Sequence, residues 1–216
     1  MEAPMLPRPP ALRAAVAAAV LAIAGGVAAP AAAEQATGCE VTRVVGHATV
    51  VRGGASLPLS PNVVVYERDL IVTGPDGRVE VRCEDGSAIV VGDRSSVSLS
   101  SFVAPPAQRG WVGVLSMIEG ILRVTLPGTK RWNRLEIVTE TAVASARSTA
   151  WIVDARKETT GVLALEGRVR VVGKAGGEVT LSPGQGSDVR PGAQPTAPAT
   201  WGAARANAAQ ARTTMP

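Results

Sequence analysis

The sequence is poor in aromatic side chains and in histidine. Among 216 residues there are one tyrosine, one phenylalanine, four tryptophans and one histidine, His47. Because large ligand pockets are usually lined with aromatic side chains, we do not expect one here. A nucleic-acid interface would need clustered basic residues and stacking aromatics. Neither is present despite the net charge of +4, so we predict no nucleic-acid partner.

Motifs for catalysis and cofactor binding are also missing. No G-x-S-x-G turn is present to carry a nucleophile, and two cysteines with one histidine and no C-x-x-C spacing do not make a zinc site. The glycine-rich stretches lack the Lys-Ser/Thr ending of a phosphate loop. The aspartates at 69, 76, 85 and 93 lie in turns, where Asp is expected for local hydrogen bonding. We therefore predict no enzyme activity, no metal and no cofactor.

The N-terminus has the three parts of a secretory signal. Arg8 and Arg13 precede an apolar, alanine-rich run, and the small-residue site Ala31-Ala32-Ala33 follows it. This order predicts a signal peptide over residues 1–33 and an exported protein, periplasmic or extracellular. The apolar run, about sixteen residues long, is short of the roughly twenty that span a membrane. A retained N-terminal anchor is the alternative, and no other membrane segment is predicted.

Both cysteines, Cys39 and Cys83, lie in the predicted mature chain. An even count in an exported protein favours a disulfide between them. The bond would fix the N-terminal segment onto the sheet and close a loop of about 44 residues, worth about 3–4 kcal/mol in the chain-entropy model. Two separate buried thiols are the alternative, and a lipid on Cys39 is a further one.

Short alternating runs between turn signals predict an all-β fold. In the stretch Asp69–Val91, the turns Gly74–Gly77 and Glu84–Ser87 separate three β-like runs. Each turn contains Asp-Gly, which is a strong hairpin signal because glycine accepts a positive φ. The stretch therefore predicts a three-stranded meander, and similar runs continue as far as Arg190.

A recurring pattern indicates internal duplication. Gly46, Gly120 and Gly167 are each followed by alternating apolar residues, and Ile71-Val72-Thr73 is matched by Ile137-Val138-Thr139. The glycines have no regular spacing, as a solenoid would require. We therefore predict an antiparallel β-sandwich or roll of short strands with internal duplication. A short β-helix-like coil is the alternative.

Composition divides the chain into the signal over residues 1–33, a β domain over 34–190 and an alanine- and proline-rich tail over 191–216. The stretch 104–110 is predicted to be a surface loop between the two halves of the domain. The tail is predicted to be a disordered linker, or at most a weak helix over Trp201–Ala211.

One cationic spot is a candidate contact site. It consists of Lys130, Arg131, Trp132 and Arg134 in a predicted turn. A solvated hairpin tip is the simpler interpretation, whereas the enrichment of aromatic residues and arginine at interfaces favours contact with a partner or an anionic glycan. Trp111 and Trp151, in β-like runs, are expected in the core.

Taken in order, the motifs resemble the FecR domain family. The resemblance extends over about Val41 to Arg190, and it includes Asp76-Gly77-Arg78-Val79, Glu119-Gly120-x-Leu-x-Val and Leu181-x-Pro183-Gly184-Gln185. Ser148 stands where the family has a glycine, which questions a tight turn there.

The resemblance implies an all-β exported domain that interacts rather than catalyses. We therefore expect a non-catalytic periplasmic protein-interaction domain that serves envelope sensing or assembly, with an envelope protein or an envelope polymer as its partner. A carbohydrate- or ligand-binding β domain at the cell envelope is the alternative. The sequence does not set the oligomeric state.

Overall fold

Strands make up most of the described chain. In this computed structural model the described residues are 38–103, 111–128 and 132–216, with the backbone alone described at 102, 103, 111, 132 and 133. The predicted signal peptide and the predicted loop 104–110 lie outside these ranges. All of the described residues belong to one compact unit.

The strands and the helix have the following bounds: β1 (Cys39–Val45), β2 (Ala48–Arg52), β3 (Ala55–Pro58), β4 (Val64–Val65), β5 (Leu70–Thr73), β6 (Arg78–Cys83), β7 (Ala88–Val91), β8 (Ser96–Val103), β9 (Trp111–Thr125), β10 (Trp132–Val138), β11 (Ala142–Ala146), β12 (Ala150–Arg156), β13 (Thr159–Ala164), β14 (Val169–Gly173), β15 (Glu178–Leu181), β16 (Gln185–Val189), β17 (Ala199–Thr200) and α1 (Ala203–Arg212).

Two sheets share the long strand β9. Sheet A has the order β4-β1-β6-β7-β9-β12-β13-β16-β17. Sheet B has the order β3-β2-β5-β8-β9-β10-β11-β14-β15. Every pairing is antiparallel except the parallel pair β9–β10. The predicted all-β roll or sandwich is confirmed, and the parallel pair adds a feature that the sequence did not indicate.

The hydrophobic core lies between the two sheets. One cluster of buried side chains takes Val81 and Trp151 from sheet A and Ile71 and Leu115 from sheet B. These side chains sit on alternate positions of their strands, as expected when one face of each sheet is buried. The prediction that Trp151 is a core residue is confirmed, whereas the side chain of Trp111 lies outside the described part.

The recurring glycine pattern marks corners between the sheets. Gly46 lies where the chain leaves sheet A for sheet B, Gly120 where β9 passes from B to A, and Gly167 where the chain returns to B. Their φ angles are 61°, 105° and 61°, in the left-handed region. Glycine enters this region without steric cost, so the pattern encodes a corner followed by a strand.

Other residues with positive φ mark further corners. Asn62, Arg68, Arg94 and Ser148 have φ angles of 70°, 70°, 49° and 53°. Each lies between a strand of one sheet and the next strand in the other. At Ser148 the chain therefore turns a left-handed corner with a serine where the resemblance predicted a glycine.

The two halves of the chain contribute strands on opposite sides of β9, but the strands of one half do not repeat the pairing of the other. The strands before and after β9 lie on opposite sides of it in both sheets. However, Ile71–Thr73 leads from sheet B to sheet A, whereas Ile137–Thr139 opens a hairpin within sheet B. The echo therefore reflects a shared turn sequence rather than equivalent pairing.

The predicted meander has the right strands but one wrong connection. β5, β6 and β7 begin and end as predicted, and β6 pairs with β7. β5 pairs instead with β2 and β8 in sheet B. The turn after β5 is a corner because its Gly74 is tied to neighbouring corners: its N–H donates to His47 O and its carbonyl accepts from Arg94 N–H.

The C-terminal tail is ordered, so the prediction of a disordered segment over 191–216 is wrong. It contains β17 and α1, and the weak helix expected over Trp201–Ala211 is close to the observed one. Trp201 and Ala209 pack on the outer face of sheet A, against residues that include Ile152 and Leu163. Composition could not reveal this docking because the surface beneath the tail is built from distant strands.

Among the residues that the structure describes, α1 is the one helix, and it is neither long nor apolar enough to span a membrane.

Candidate interaction surfaces

The predicted cationic spot is only partly described. Lys130 and Arg131 lie outside the described residues, and so does the side chain of Trp132. Arg134 is exposed on β10 and its Nε lies 2.8 Å from Glu136 Oε1. At Arg134 the charge is thus neutralised by a neighbour on the same strand, which favours the simpler interpretation of a solvated surface.

The predicted disulfide is formed between Cys39 and Cys83. The two residues face each other on the paired strands β1 and β6, with their Cα atoms 4.2 Å apart. The bond spans 44 residues, so it fixes the first described strand to its neighbour β6 in sheet A.

The aspartates in the turns hold the fold together locally. Asp69 accepts hydrogen bonds from Arg52 Nε at 2.8 Å, Arg52 Nη2 at 2.6 Å and Tyr66 N–H at 2.8 Å. Burial raises the pKa of Asp69, but the hydrogen bonds from Arg52 and Tyr66 outweigh it and lower the pKa overall. Asp85 accepts from Ser87 N–H at 3.2 Å within its hairpin turn. These contacts support the interpretation of the aspartates as turn formers.

His47 is in the corner between β1 and β2. Its side chain is exposed, and its Nδ1 lies 3.4 Å from Asp76 Oδ1. In the described part of the chain, no group of three or more His, Cys, Asp or Glu side chains could hold a metal ion.

The docked tail forms a defined contact surface on sheet A. We call residues 191–216 the strap. We call the sheet surface beneath it the strap seat, and define it by the following residues: Ile121, Ile152, Gly161, Leu163 and Gly186, with the carboxylates of Asp93, Asp154 and Asp188. This surface was not predicted from the sequence, although Trp201 and Arg205, four residues apart, were a signal that could have suggested it.

Glycines let the strap approach the sheet closely. A Cβ on Gly186 would lie 2.5 Å from Trp201 Cε2, and one on Gly161 would lie 2.7 Å from Arg205 Nη2. Neither glycine has a left-handed φ, so close approach rather than backbone conformation explains them. The Arg205 guanidinium stacks on Trp201, 3.5 Å from the ring centroid.

Ion pairs tie both ends of the helix to the seat. Arg205 donates to both oxygens of Asp188, at 2.5 and 2.8 Å. Arg212 Nε donates to Asp93 at 2.7 Å, and its Nη1 lies 3.6 Å from Asp154. Burial raises the pKa of Asp93, whereas the hydrogen bond and the charge of Arg212 lower it. The lowering is larger, so the pKa of Asp93 lies below its usual value.

A charged cleft lies beside the helix. It has a volume of about 350 Å³, and its lining includes Asp154, Arg156, Asp188, Arg190 and Arg205. Both carboxylates are paired with arginines, at 2.8 Å for Asp154 with Arg156 and 2.5 Å for Asp188 with Arg205. The cleft is therefore a network of ion pairs rather than a site with a free acid or base.

The edge of sheet B at β15 offers unpaired backbone groups. Gly173 N–H donates to Gly177 O, and β14 and β15 continue from there with alternating pairs. In this alternation the N–H groups of Glu178 and Thr180 point away from β14. Among the described residues the strand paired with β15 is β14 alone, by its residue register. Unpaired edges of this kind accept an added strand.

The other edges are shorter or blunted. Leu59 N–H donates to Ala48 O, so in β3 the outward positions are Ser56 and Pro58. Because proline has no N–H, β3 presents a single outward donor. Sheet A ends in β4 and β17, which have two residues each. The edge at β15 is therefore the best suited to strand addition.

Comparison with known proteins gives the family. A family model described as FecR protein matches residues 69–170. The chain contains a FecR domain. The match begins at the predicted meander and ends within β14, so it includes most of the strap seat and leaves the strap itself outside. No curated protein matches the chain.

Two solved structures have the same fold. Both are crystal structures of a protein from Parabacteroides distasonis ATCC 8503 that is described as a candidate anti-sigma factor. They are 15% identical to the FecR-domain chain, with TM-scores of 0.52 and 0.51. The alignments cover 64% and 63% of this chain, and 63% and 61% of the other, so the chain spans less than two thirds of those proteins. At this identity the likeness shows the fold alone.

Proposed function

We propose that this chain is a non-catalytic protein-interaction domain of the FecR type that acts at the cell envelope, in the periplasm or outside the cell. The observation that carries the proposal is the match of residues 69–170 to the FecR family. The signal-like N-terminus and the Cys39–Cys83 bond support export, since disulfides persist in oxidising compartments. Envelope sensing or assembly is the process that such a domain would serve, and the described anti-sigma role of the P. distasonis protein agrees with a regulatory interaction.

The charged groups support binding rather than catalysis. A general acid or base works best when its pKa lies near the operating pH. Asp69 and Asp93 have pKa values lowered from 3.8, through hydrogen bonds to Arg52 and Arg212 that outweigh the effect of burial. These carboxylates therefore stay ionised and hold structure at neutral pH.

The described tryptophans do not favour the alternative of carbohydrate binding. A sugar ring stacks on an exposed aromatic face, as bases do on proteins that bind single strands. Trp151 is fully buried, and Trp201 is covered on one face by the guanidinium of Arg205. We therefore propose a protein partner.

The partner is proposed to bind by adding a strand to β15. Strand addition uses backbone hydrogen bonds for affinity and the alternating side chains for specificity. Glu178 and Thr180 provide the outward N–H groups, and their side chains are exposed on the outer face of sheet B. Arg170 pairs with Glu178 at 2.5 Å across β14 and β15.

Site-specific photo-crosslinking in the native envelope tests this proposal. The full chain carries a photo-reactive side chain at Thr180, and a matched control carries it at Ser56 on the blunted edge β3. We expect a reproducible adduct with one protein from position 180 and a much weaker one from position 56. No adduct at 180, or equal yields from both positions, would contradict strand addition at β15.

A further inference from the structure

The strap seat has features of a binding site for a helix. Its floor is apolar, since Ile121, Ile152 and Leu163 are buried under the strap. Gly161 and Gly186 leave room for an indole and a guanidinium on strands that would otherwise carry side chains. Glycine weakens the interior of a strand. Gly161 and Gly186 are therefore best explained by the side chains of Arg205 and Trp201 that pack directly on them.

Charge at the seat is complementary to a cationic helix. The side chains of Asp93 and Asp154 are only 16% and 10% exposed, and Asp188 is 32% exposed. Partly buried carboxylates need a cation nearby. Asp154 has Arg156 of its own strand at 2.8 Å, whereas the strap supplies Arg205 to Asp188 and Arg212 to Asp93. These two arginines and the buried Ala209 are spaced i, i+4 and i+7, so they share one face of α1.

The strap buries few of its own side chains. Of its residues, Trp201, Ala209 and Thr213 are the buried ones. The helix has 10 residues, its N-cap residue Gly202 provides no side-chain hydrogen bond, and its first turn has no acidic residue. Isolated helices shorter than about 12–15 residues are marginal in water. Arg205 is 46% exposed, so salt screens its ion pair.

We propose that the strap seat is a second interaction surface, which accepts an amphipathic helix of a partner protein bearing an indole and two guanidinium groups. The chain's own strap occupies this surface until a partner helix displaces it. The seat lies largely within the FecR match, with Asp93, Ile121 and Leu163 all inside residues 69–170, whereas the strap lies beyond it. This proposal concerns a different surface from the edge at β15, and either can fail without the other.

Displacement can be measured with a labelled peptide of residues 199–216 and the full-length chain. The strap variant Trp201→Ala weakens the chain's own occupant and leaves the seat unchanged. By fluorescence anisotropy, we expect the peptide to bind this variant at least ten-fold more tightly than the unaltered chain. Asn207→Ala, at an exposed strap position, is the matched control and should behave like the unaltered chain.

Two further measurements keep the test decisive. If Trp201→Ala does not fold, the surface variant Arg205→Ala replaces it, with the same expected direction. Adding Gly186→Ala to either variant should abolish peptide binding, because its Cβ fills the indole position, while circular dichroism verifies the fold. Equal affinity of the peptide for the unaltered chain, the strap variant and the control would overturn the proposal, as would binding that survives Gly186→Ala.

Discussion

Replacing Gly120 by alanine tests how the chain turns from one sheet to the other. Gly120 has a φ of 105°, and an added Cβ would lie 2.5 Å from the Cβ of Ser95 and closer still to its Cα and Oγ. Ser95 cannot move aside cheaply: it is 1% exposed and its Oγ accepts the N–H of Ile121 at 2.9 Å.

The expected loss follows from three contributions. The left-handed backbone costs an L-residue about 1–2 kcal/mol, overpacking costs about 1–3 kcal/mol, and a lost buried hydrogen bond costs about 1–3 kcal/mol. Since these effects overlap, we expect Gly120→Ala to lower the free energy of unfolding by about 3–5 kcal/mol, measured by urea denaturation with the disulfide intact.

Two glycines serve as matched controls for this substitution. Gly53 has a φ of 56° with no atom within 4 Å of an added Cβ, so Gly53→Ala should cost only the backbone strain, about 1–2 kcal/mol. Gly128 has no left-handed φ and, among the described residues, no atom within 4 Å of an added Cβ, so its alanine variant should be near neutral. A loss at Gly120 no larger than that at Gly53 would refute the account of the corner.

Three other perturbations have expected outcomes. Replacing Cys39 and Cys83 together by alanine should lower the free energy of unfolding by about 4 kcal/mol, as expected for a bond spanning 44 residues; a loss below about 1 kcal/mol in urea denaturation would contradict this. Asp69→Asn should cost about 3 kcal/mol at pH 7, because it leaves Arg52 without its charged partner. The pKa of Asp69 is lowered in the fold from 3.8, so its contribution is present above that pH and lost as the pH falls through the folded value. The difference between Asp69→Asn and the unaltered chain should therefore shrink in urea titrations below pH 4, and a constant difference would argue against the ion pair. Ser148→Gly should raise the thermal midpoint, with a gain of about 0.5–1 kcal/mol, because it relieves a left-handed serine; a lowered midpoint would show that the serine is favoured there.

Local sequence patterns predicted the elements better than their pairing. The runs that became β5, β6 and β7 were predicted with the observed bounds because Asp-Gly turns and period-two alternation are local signals. Whether a turn closes a hairpin or turns a corner depends on contacts from elsewhere, such as His47 O at Gly74. The sequence therefore predicted a meander where the chain changes sheets.

The recurring glycines had a physical meaning that the sequence could only suggest. Gly46, Gly120 and Gly167 were interpreted as signs of duplication, and the structure shows that each is a left-handed corner. The disulfide was predictable because two cysteines in an exported chain leave few arrangements. The edge at β15 could not be predicted in this way, because an edge strand is recognised only when the pairing of the neighbouring strands is known.

The strap was the largest error of the sequence analysis. An alanine- and proline-rich segment with one tryptophan has the composition of a linker. Its order comes from the seat, where Gly161 and Gly186 lie 25 residues apart on β13 and β16 and together receive Trp201 and Arg205. Such long-range complementarity leaves no periodic trace in the sequence.

The central claim is that a partner strand binds at the edge of β15. Its most direct test is the amount of partner recovered by crosslinking in the native envelope with Thr180→Pro and with Ser56→Pro. Both substitutions remove an outward N–H without breaking a hydrogen bond to the neighbouring strand. We predict that Thr180→Pro lowers recovery at least ten-fold and that Ser56→Pro leaves it unchanged. Equal recovery with the two variants would contradict the account.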